Sequence, residues 1–285
     1  MARDRSTGEI GAAVQSKFPG VGTIALHGRA DAGCVVTQAF ANPLHGDQGI
    51  ALMALGADPG QALAILLRQD EAEAQRQIAL IDASNPLAWH TGEAVRSWDG
   101  WAGSAAGEDC LAMGNTLAGQ HVVAAMVTGF RDRAGDLTDR LIAGLRAGRD
   151  AGGELRGQQS GAVLVVKPSG GYGGRSGRHV DICVYDHPEP IEELARCFTL
   201  HRLSYFPSDP EKLVPIDASI ARPLKTLLRQ QGHRVSDGAA WRRDDIAALK
   251  RFMGVENYDN RLRDDDRIDL DVLEDLKQRY PDAFA

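Results

Sequence analysis

Polar side chains that could bind a ligand gather where a buried strand of this sequence ends. Thr37 and Gln38 close an apolar run that starts at Gly33, and Asn42 follows in the turn before Pro43. Hydroxyl and amide groups at such a position need hydrogen-bond partners, because burying them without partners costs free energy. They therefore satisfy the backbone of the adjoining loop or bind a ligand. We predict that Thr37, Gln38 and Asn42 contribute to a substrate site.

Two further polar pairs lie at the boundaries of predicted strands. His90 and Thr91 end one strand, and Gln159 and Ser160 open another. A histidine beside a strand end is more often a hydrogen-bonded structural group than a base, so the first pair has two interpretations. The second pair is predicted to line the same cleft as Thr37. All four residues are included in the predicted substrate site.

Several motifs that suggest other chemistry do not meet its requirements. The glycines of residues 170–174 lack the Lys-Ser/Thr ending of a phosphate loop, and a strand follows them where a helix should. The acidic run 264–266 has Ile268 at a position that a calcium loop needs for a ligand. No serine lies in a Gly-x-Ser-x-Gly elbow. No Cys-x-x-Cys pair is present, so we predict buried free thiols, no metal and no cofactor. The cysteines are Cys34, Cys110, Cys183 and Cys197.

The elements that must position these residues start at the N-terminus. Residues 5–9 have the composition of a turn, and Ile10 to Phe18 is small, apolar and partly β-branched, which is typical of a buried strand. Only Met1 to Asp4 are left to form the partner strand before the turn. We therefore predict a hairpin whose first arm is short, and we expect that the natural chain starts further upstream.

The middle of the chain alternates strand pairs with helix pairs. Apolar residues at helical spacing predict helices that begin near Asp47, Asp58, Gln120, Asp136 and Pro190. Residues 98–107 are predicted to form a loop. Strands are predicted at 23–26, 33–40, 76–82, 87–91, 109–114, 160–167 and 179–185. Two antiparallel sheets with helices outside would use these elements economically, which indicates the α+β class.

Composition changes near Phe206, where three prolines within nine residues indicate a stiff linker. Three amphipathic segments follow, around Leu224, Leu249 and Leu273, and they predict a small helical bundle. We therefore predict a first domain at 1–206 and an all-α domain at 207–285. A sugar site in the second domain would favour exposed aromatic residues, for which Trp241 and Tyr258 are the candidates. The alternative is an accessory bundle that packs on itself or on a partner in a homo-oligomer.

Bulk composition limits the partners. The formal net charge of −7 and the lack of a Lys/Arg cluster argue against nucleic acid. No apolar run reaches the ~18–20 residues that span a bilayer, and the first residues lack the apolar core of a signal peptide. We predict no membrane partner and a cytoplasmic location.

Several separate motifs resemble one protein family. They are Ala2-Arg3-Asp4, Thr7-Gly8-Glu9, Val14-Gln15-Ser16-Lys17-Phe18, Thr37-Gln38-Ala39 and His90-Thr91-Gly92. Together they resemble the domain of unknown function 1028 family, which is assigned to the N-terminal nucleophile (Ntn) hydrolases. That resemblance implies a four-layer αββα sandwich over the first domain. The position and pattern of the C-terminal bundle are similar to the module, named as peptidoglycan-binding, that some members carry.

The resemblance also implies a catalytic site. An Ntn hydrolase attacks a carbonyl with the side chain of its first residue and uses its own α-amino group as the base. By this resemblance Lys17 stabilises charge near that amine, Asp4 pairs with Lys17 or orients the amine, and Asn115 donates to the oxyanion. Ser16 is assigned to the substrate. Each residue also has a purely structural interpretation. Lys17 would be a surface residue at a strand end, Asp4 a turn residue, and Asn115 a turn residue or helix cap.

The family pattern is broken at one position. Members begin several residues earlier with Met-Thr and an apolar strand, whereas residue 2 here is Ala2, which has no nucleophilic atom. Two functions remain open. The first is an Ntn-type hydrolase of a small or peptide-like amide, whose nucleophile is missing from this N-terminus. The second is a binding or assembly protein on the same fold without catalysis, which binds a peptidoglycan fragment through its C-terminal domain.

Overall fold

In the computed structural model, which describes residues 1–285, the chain begins with a hairpin. Strand β1 (Ala2–Asp4) pairs antiparallel with β2 (Glu9–Ser16), so the first arm has 3 residues and the second has 8. The Asp4 carboxylate accepts a hydrogen bond from the Ser6 amide, and Gly8 adopts a φ of +72°, which favours glycine. The predicted hairpin with a short first arm is therefore present.

Strands and helices continue in chain order to Tyr205. The remaining strands are β3 (Leu26–Arg29), β4 (Gly33–Ala39), β5 (Arg76–Ile81), β6 (Ala88–Thr91), β7 (Trp101–Ala106), β8 (Leu111–Leu117), β9 (Ser160–Val166) and β10 (Arg178–Val184). The helices are α1 (Gly22–Ala25), α2 (Leu44–Ala54), α3 (Pro59–Arg68), α4 (Glu93–Arg96), α5 (Gln120–Asp132), α6 (Leu137–Asp150) and α7 (Pro190–Tyr205).

Three local predictions differ from the structure. The strand predicted at 23–26 is the short helix α1 up to Ala25, because periodicity does not separate helix from strand in so short an apolar run. The loop predicted at 98–107 contains β7, whose small residues have weak strand propensity and whose ladder comes from β8. Helix α2 begins at Leu44 rather than near Asp47, which lies in its first turn.

The strands form two four-stranded sheets and one separate pair. The first sheet has the order β1-β2-β9-β10, the second has the order β3-β4-β5-β6, and β7 pairs with β8. An isolated bridge joins Ala2 of β1 to Cys110, just before β8. Strand β1 thus lies between β2 and the start of β8, which becomes important for the cleft described below.

Alternating side chains of β4 divide between two cores. Cys34 packs with Ile10, Leu164 and other buried residues of the first sheet, whereas its neighbour Val35 packs with Leu66 and the apolar residues of α2 and α3. A separate cluster joins β8 to α5, and α6 contacts β2. The two sheets therefore share a core, and helices cover faces that point away from it. Each fully buried Leu or Ile contributes about 1.5–3 kcal/mol to this arrangement.

The chain divides into two units, Met1–Phe198 and Thr199–Ala285. The second contains β11 (Leu213–Pro215), α8 (Ala218–Gln230), α9 (Arg243–Val255), β12 (Arg267–Asp269), α10 (Leu270–Arg279) and α11 (Pro281–Phe284). Its core includes Leu224, Leu249 and Leu273, one from each predicted amphipathic segment. The domain division expected after residue 206 stays a prediction. No helix in the structure combines the length and apolar character needed to cross a bilayer.

Candidate functional site

A cleft of about 560 Å³ opens between the ends of strands in the first unit. Its walls come from the C-terminal half of β2, the end of β4, the middle of β8, and the facing sides of α5 and α6. Most of the lining is apolar, and the polar lining residues converge from three different strands. The polar strand residues that line it are Gln15, Ser16, Thr37, Gln38 and Asn115. An apolar cleft with a few converging polar groups is the usual form of a small-molecule site.

Gln77 of β5 holds two of these polar side chains in place. Its side-chain oxygen accepts hydrogen bonds from the amide nitrogens of Gln38 at 2.7 Å and Asn115 at 3.2 Å. Its own amide nitrogen donates to the Thr91 hydroxyl at 3.0 Å and to the Gly114 carbonyl at 2.9 Å. Gln77 is fully buried, so these bonds also satisfy a group that would be costly to bury alone.

Gln77 is not among the site residues predicted from the sequence. The available signal was a glutamine inside the otherwise apolar segment Gln77–Ile81. What places it at the cleft is its pairing, because Gln77 lies directly opposite Gln38 in the β4–β5 register. That register depends on strands separated by two helices, so the local pattern did not reveal it.

The backbone at the cleft adopts unusual conformations at two non-glycine residues. Ala39 at the end of β4 has a φ of +66°, and Thr116 beside Asn115 has a φ of +55°. A positive φ is unfavourable for a residue with a Cβ atom and more so for a β-branched one. Such conformations cost of order 1–3 kcal/mol and are concentrated at functional sites. Ala39 lines the cleft, and Thr116 lies between the lining residues Asn115 and Leu117, so both conformations occur at or next to the cleft wall.

Several of the residues predicted for the site do meet at this cleft. Ser16, Thr37, Gln38 and Asn115 all line it. Thr37 is fully buried, and its hydroxyl accepts a hydrogen bond from the Asn42 amide at 3.3 Å. The Asn42 side-chain oxygen in turn accepts a hydrogen bond from the Leu44 amide at 3.2 Å. Asn42 therefore stabilises the turn that precedes α2, beside the cleft. The first of the two roles considered for Thr37 and Asn42, satisfying loop backbone, is therefore observed.

Lys17 lies next to the cleft, between the lining residues Ser16 and Phe18. Its side-chain nitrogen donates to the Gln158 carbonyl at 3.3 Å, and its backbone amide donates to the Glu154 carboxylate at 3.1 Å. The side chain is exposed. Its predicted catalytic role therefore requires a reacting group to sit near the end of β2.

Asp4 lies at the opposite end of the hairpin and does not pair with Lys17. It accepts hydrogen bonds from the Ser6 hydroxyl at 2.6 Å and faces Arg140 at 3.5 Å. The hydrogen bond from Ser6 lowers the pKa of the Asp4 carboxyl, chiefly, against the opposing effect of burial. Asp4 pairs with Glu9, so Ser16 lies seven residues further along β2, or ~23 Å away. The structure thus assigns Asp4 to the turn.

The other predicted substrate residues lie outside the cleft lining. His90 contacts the Glu73 carboxylate at 3.0 Å, and Thr91 accepts from Gln77. Gln159 donates to Asp186 at 3.1 Å on the exposed side of the strand. Ser160 is fully buried; its hydroxyl donates to the Phe18 carbonyl and accepts from the Val21 amide at 3.1 Å. Thr91 and Ser160 thus support residues of the cleft from behind.

An open strand position lies inside the cleft. Strand β2 pairs with β1 only at Glu9–Gly11, and beyond that its Cα partners are all on β9. Residues 13–16 of β2 line the cleft on one side, and residues 113–115 of β8 line it on the other. Because β1 bridges to both β2 and Cys110, the space between them lies where an extended continuation of β1 would run.

Charged residues lie at the cleft's outer wall and are paired with one another. Arg149 donates to Glu192 at 2.8 Å, and Arg156 pairs with Glu154. Hydrogen bonds from Arg146 and then Arg149 lower the pKa of Glu192 to about 2. At neutral pH this wall therefore carries ionised groups of both signs.

The cysteines and the C-terminal aromatic residues differ in part from prediction. Cys34 and Cys110 are buried free thiols as predicted, and burial raises the pKa of Cys34 to about 12. Cys183 is exposed, because β10 is an edge strand whose outward side chains are uncovered. Tyr258, a candidate sugar contact, is buried in the core of the second unit and donates to Asp275.

Comparisons with known proteins show which families and which solved structure this chain is similar to. Residues 1–194 match the model of a "Family of unknown function (DUF1028)", and residues 205–276 match that of a "Putative peptidoglycan binding domain". A crystal structure of a protein from Silicibacter pomeroyi, assigned to the DUF1028 family, is similar with a TM-score of 0.63 and 28% identity. That match covers 70% of this chain and 84% of that chain. No curated protein matches the chain.

Proposed function

The chain belongs to the DUF1028 family of unknown function, and on that basis we propose that its cleft is the active site of an Ntn-type amide-bond hydrolase. The substrate is a small or peptide-like amide. The nucleophile is the first residue of an extended segment that fills the open strand position between β2 and β8. The two sheets with a shared core and helices on outward faces form, in this proposal, the four-layer αββα sandwich.

The register of the open strand position carries the proposal. Ala2 pairs with Gly11 on β2 and bridges to Cys110 before β8. In antiparallel pairing each step back along one strand advances the partner by one residue. Five steps back from Ala2 reach Ser16 on one side and Asn115 on the other. One strand position therefore lies between a predicted substrate residue and the predicted oxyanion donor.

The groups around that position suit the chemistry. A threonine there, as in the resembling family, would have a free α-amino group, whose ordinary pKa of about 7.7–8.0 makes it a base at neutral pH. Asn115 has an amide nitrogen that is held by Gln77 through one N–H, and the other N–H suits stabilisation of a developing oxyanion. Lys17, one residue beyond Ser16, adds positive charge at the same end of β2.

The test compares matched forms of the chain. One form starts at Met1, a second carries four added residues that start with Thr, and a third carries the same residues with Ala in place of Thr. Intact mass confirms each N-terminus after removal of the initiator Met. We expect hydrolysis of amides in a small panel, and acylation by a lactone probe, only in the Thr form. Loss of a covalent nucleophile lowers the rate by at least about 1,000-fold.

Each control in this test decides a different question. Activity of the Ala form or of the form that starts at Met1 would contradict a nucleophile at this position. Lack of activity in the Thr form, with a proven free Thr, would contradict the hydrolase itself. Both forms with added residues should melt at a higher temperature than the Met1 form, because the added strand pairs with open edges of β2 and β8.

A second candidate function, peptide binding without cleavage, is favoured by the state of Met1. Its ammonium group donates to the Leu111 carbonyl at 2.8 Å, and burial lowers its pKa to about 6. Met1 has no hydroxyl or thiol that could form an acyl intermediate, and Ala2 is fully buried. In this alternative the open strand position captures an extended peptide in trans, by addition of a strand. A five-residue peptide that binds the Met1 form, but not the form with added residues, would support it.

A further inference from the structure

Three aromatic side chains at the cleft are more exposed than their size and apolar character favour. Phe18 follows β2 and is 52% exposed, Phe40 follows β4 and is 64% exposed, and Trp98 follows α4 and is 36% exposed. All three line the cleft. Single exposed apolar residues are common, whereas several around one opening indicate a binding surface.

The backbone of this aromatic rim is held while the rings stay accessible. The Phe40 carbonyl accepts a hydrogen bond from Arg76, and the Phe40 amide donates to the Gln75 carbonyl at 3.2 Å. The Phe18 carbonyl accepts from the buried Ser160 hydroxyl. Arg76 is itself fixed by Asp70 at 2.7 Å. Holding this backbone before binding lowers the entropy cost of capturing a ligand.

The surroundings of the rim distinguish between kinds of ligand. A purely apolar chain or ring would remove water from Arg156, whose side chain is 56% exposed, without offering it a hydrogen bond, which is unfavourable. A sugar ring has an apolar C–H face that packs on an aromatic ring and hydroxyl groups that bond to amides and charged side chains. The rim, with Gln38 and Asn115 inside it, offers both kinds of partner.

We propose that the amide substrate carries a sugar ring, which packs on Phe18, Phe40 and Trp98 at the mouth of the cleft. This inference deepens the proposed function and rests on it for the amide. The match of residues 205–276 to a peptidoglycan-binding family makes an amino-sugar linked to a peptide the fitting class. This sugar site lies in the first unit, whereas the sequence pattern predicts sugar binding by the second domain.

The experiment measures binding directly and needs no catalysis. Muramyl dipeptide, which joins an amino-sugar to a peptide through an amide, is titrated into the full chain. The same dipeptide without the sugar and an N-lauroyl dipeptide serve as the comparison ligands. Tryptophan fluorescence follows the titration, with Trp98 as the reporter in the cleft. Phe40→Ala tests the rim, and Trp98→Ala identifies the signal. Trp89→Ala is the matched control, because Trp89 is 42% exposed on β6 and does not line the cleft.

We expect the sugar-bearing ligand to bind at least about tenfold more tightly than the bare dipeptide, and Phe40→Ala to remove that advantage. Trp98→Ala should abolish the signal and Trp89→Ala should preserve it. Equal binding of the bare dipeptide, tighter binding of the lauroyl ligand, or full binding by Phe40→Ala would overturn the inference. Failure here leaves the hydrolase proposal intact if the Thr form still cleaves simple amides. Sugar binding without cleavage would contradict only the hydrolase.

Discussion

The cleft of the first unit and the core of the second treat buried polar groups in opposite ways. In the second unit, Lys225 is 1% exposed and pairs with Asp245 at 3.1 Å, which is 0% exposed. The Lys225 ammonium also donates hydrogen bonds to the backbone carbonyls of Ser236, Gly238 and Ala240. In the cleft, Gln38 and Asn115 are held from behind by Gln77 while they line open space.

The two regions differ in whether their polar groups have hydrogen-bonding capacity left for a ligand. A buried charge surrounded by partners has no remaining capacity for a ligand, and it determines how the loop 236–240 folds onto α8. An amide fixed through part of its capacity can still donate to a bound molecule. The core of the second unit thus uses its polar groups for its own fold, whereas the cleft of the first unit leaves amide groups lining open space.

The largest predicted effect concerns the buried ion pair in the core of the second unit. Asp245→Ala leaves Lys225 as an uncompensated buried charge, so we expect the second unit to lose about 3–5 kcal/mol of unfolding free energy. Urea unfolding followed through Trp241, which packs against the core of the second unit, measures the change.

A matched control exists in the same unit. Asp264 pairs with Lys250 at 2.6 Å but is 82% exposed, so Asp264→Ala should cost less than about 1 kcal/mol. Equal losses in the two variants would contradict the distinction between buried and exposed pairs. The transition of the first unit should be the same in both variants.

The next largest effect concerns the amide groups that line the cleft of the first unit. Gln77→Leu removes the support of Gln38 and Asn115 and leaves the Gly114 carbonyl without this donor. We expect a loss of about 2–3 kcal/mol, because buried groups are left unsatisfied. Ligand binding at the cleft should weaken as well, measured by titration at a temperature where the variant is folded.

The control for this variant is Gln159→Leu. Gln159 was predicted for the same site but bonds to Asp186 away from the cleft, so stability and binding should change little. If Gln77→Leu bound the ligand normally, Gln77 would be a structural residue only.

A smaller effect concerns a buried histidine, which is neither fully surrounded by hydrogen-bond partners nor part of the cleft lining. His45 is 3% exposed, its Nε2 faces Asp70 at 3.2 Å, and its Nδ1 has no hydrogen-bond partner. Burial lowers the pKa of His45, opposed by Asp70 and assisted by Arg76. The unfolded chain therefore binds a proton before the folded one as the pH falls.

The sign of the pH dependence follows. The stability associated with neutral His45 is complete above the ordinary pKa of about 6.5 and is lost as the pH falls toward the lowered value. We expect the free energy of unfolding to fall more steeply over this range in the natural chain than in His45→Gln. Equal slopes in urea titrations at several pH values would contradict this assignment.

The smallest effect on stability is predicted for Lys17→Ala. Lys17 is exposed, and its ammonium makes one contact of 3.3 Å to a carbonyl, so the change should stay below about 0.5 kcal/mol. In the Thr form of the proposed hydrolase, the same variant should abolish amide cleavage. Full activity of that variant would remove Lys17 from the mechanism.

Particular residues show how far local pattern predicts the site. Asp58 followed by Pro59 predicts a helix start, and the structure has a full capping box there with Gln61. Thr37 and Gln38 were identified because polar groups at the end of an apolar strand need partners. Lys17 lies beside the cleft, but Asp4, which the family resemblance grouped with Lys17, lies at the other end of the hairpin and bonds to Ser6.

Local sequence was sufficient to predict the short-armed hairpin, most helices and strands, and the polar character of the strand ends. Those features depend on turn residues, caps and periodicity, which act between neighbours in the chain. Tertiary contacts were needed to bring Gln38, Gln77 and Asn115 together and to place β2 and β8 along the same cleft. Strand register and sheet order depend on contacts between distant segments, whose energies come from the packed core as a whole.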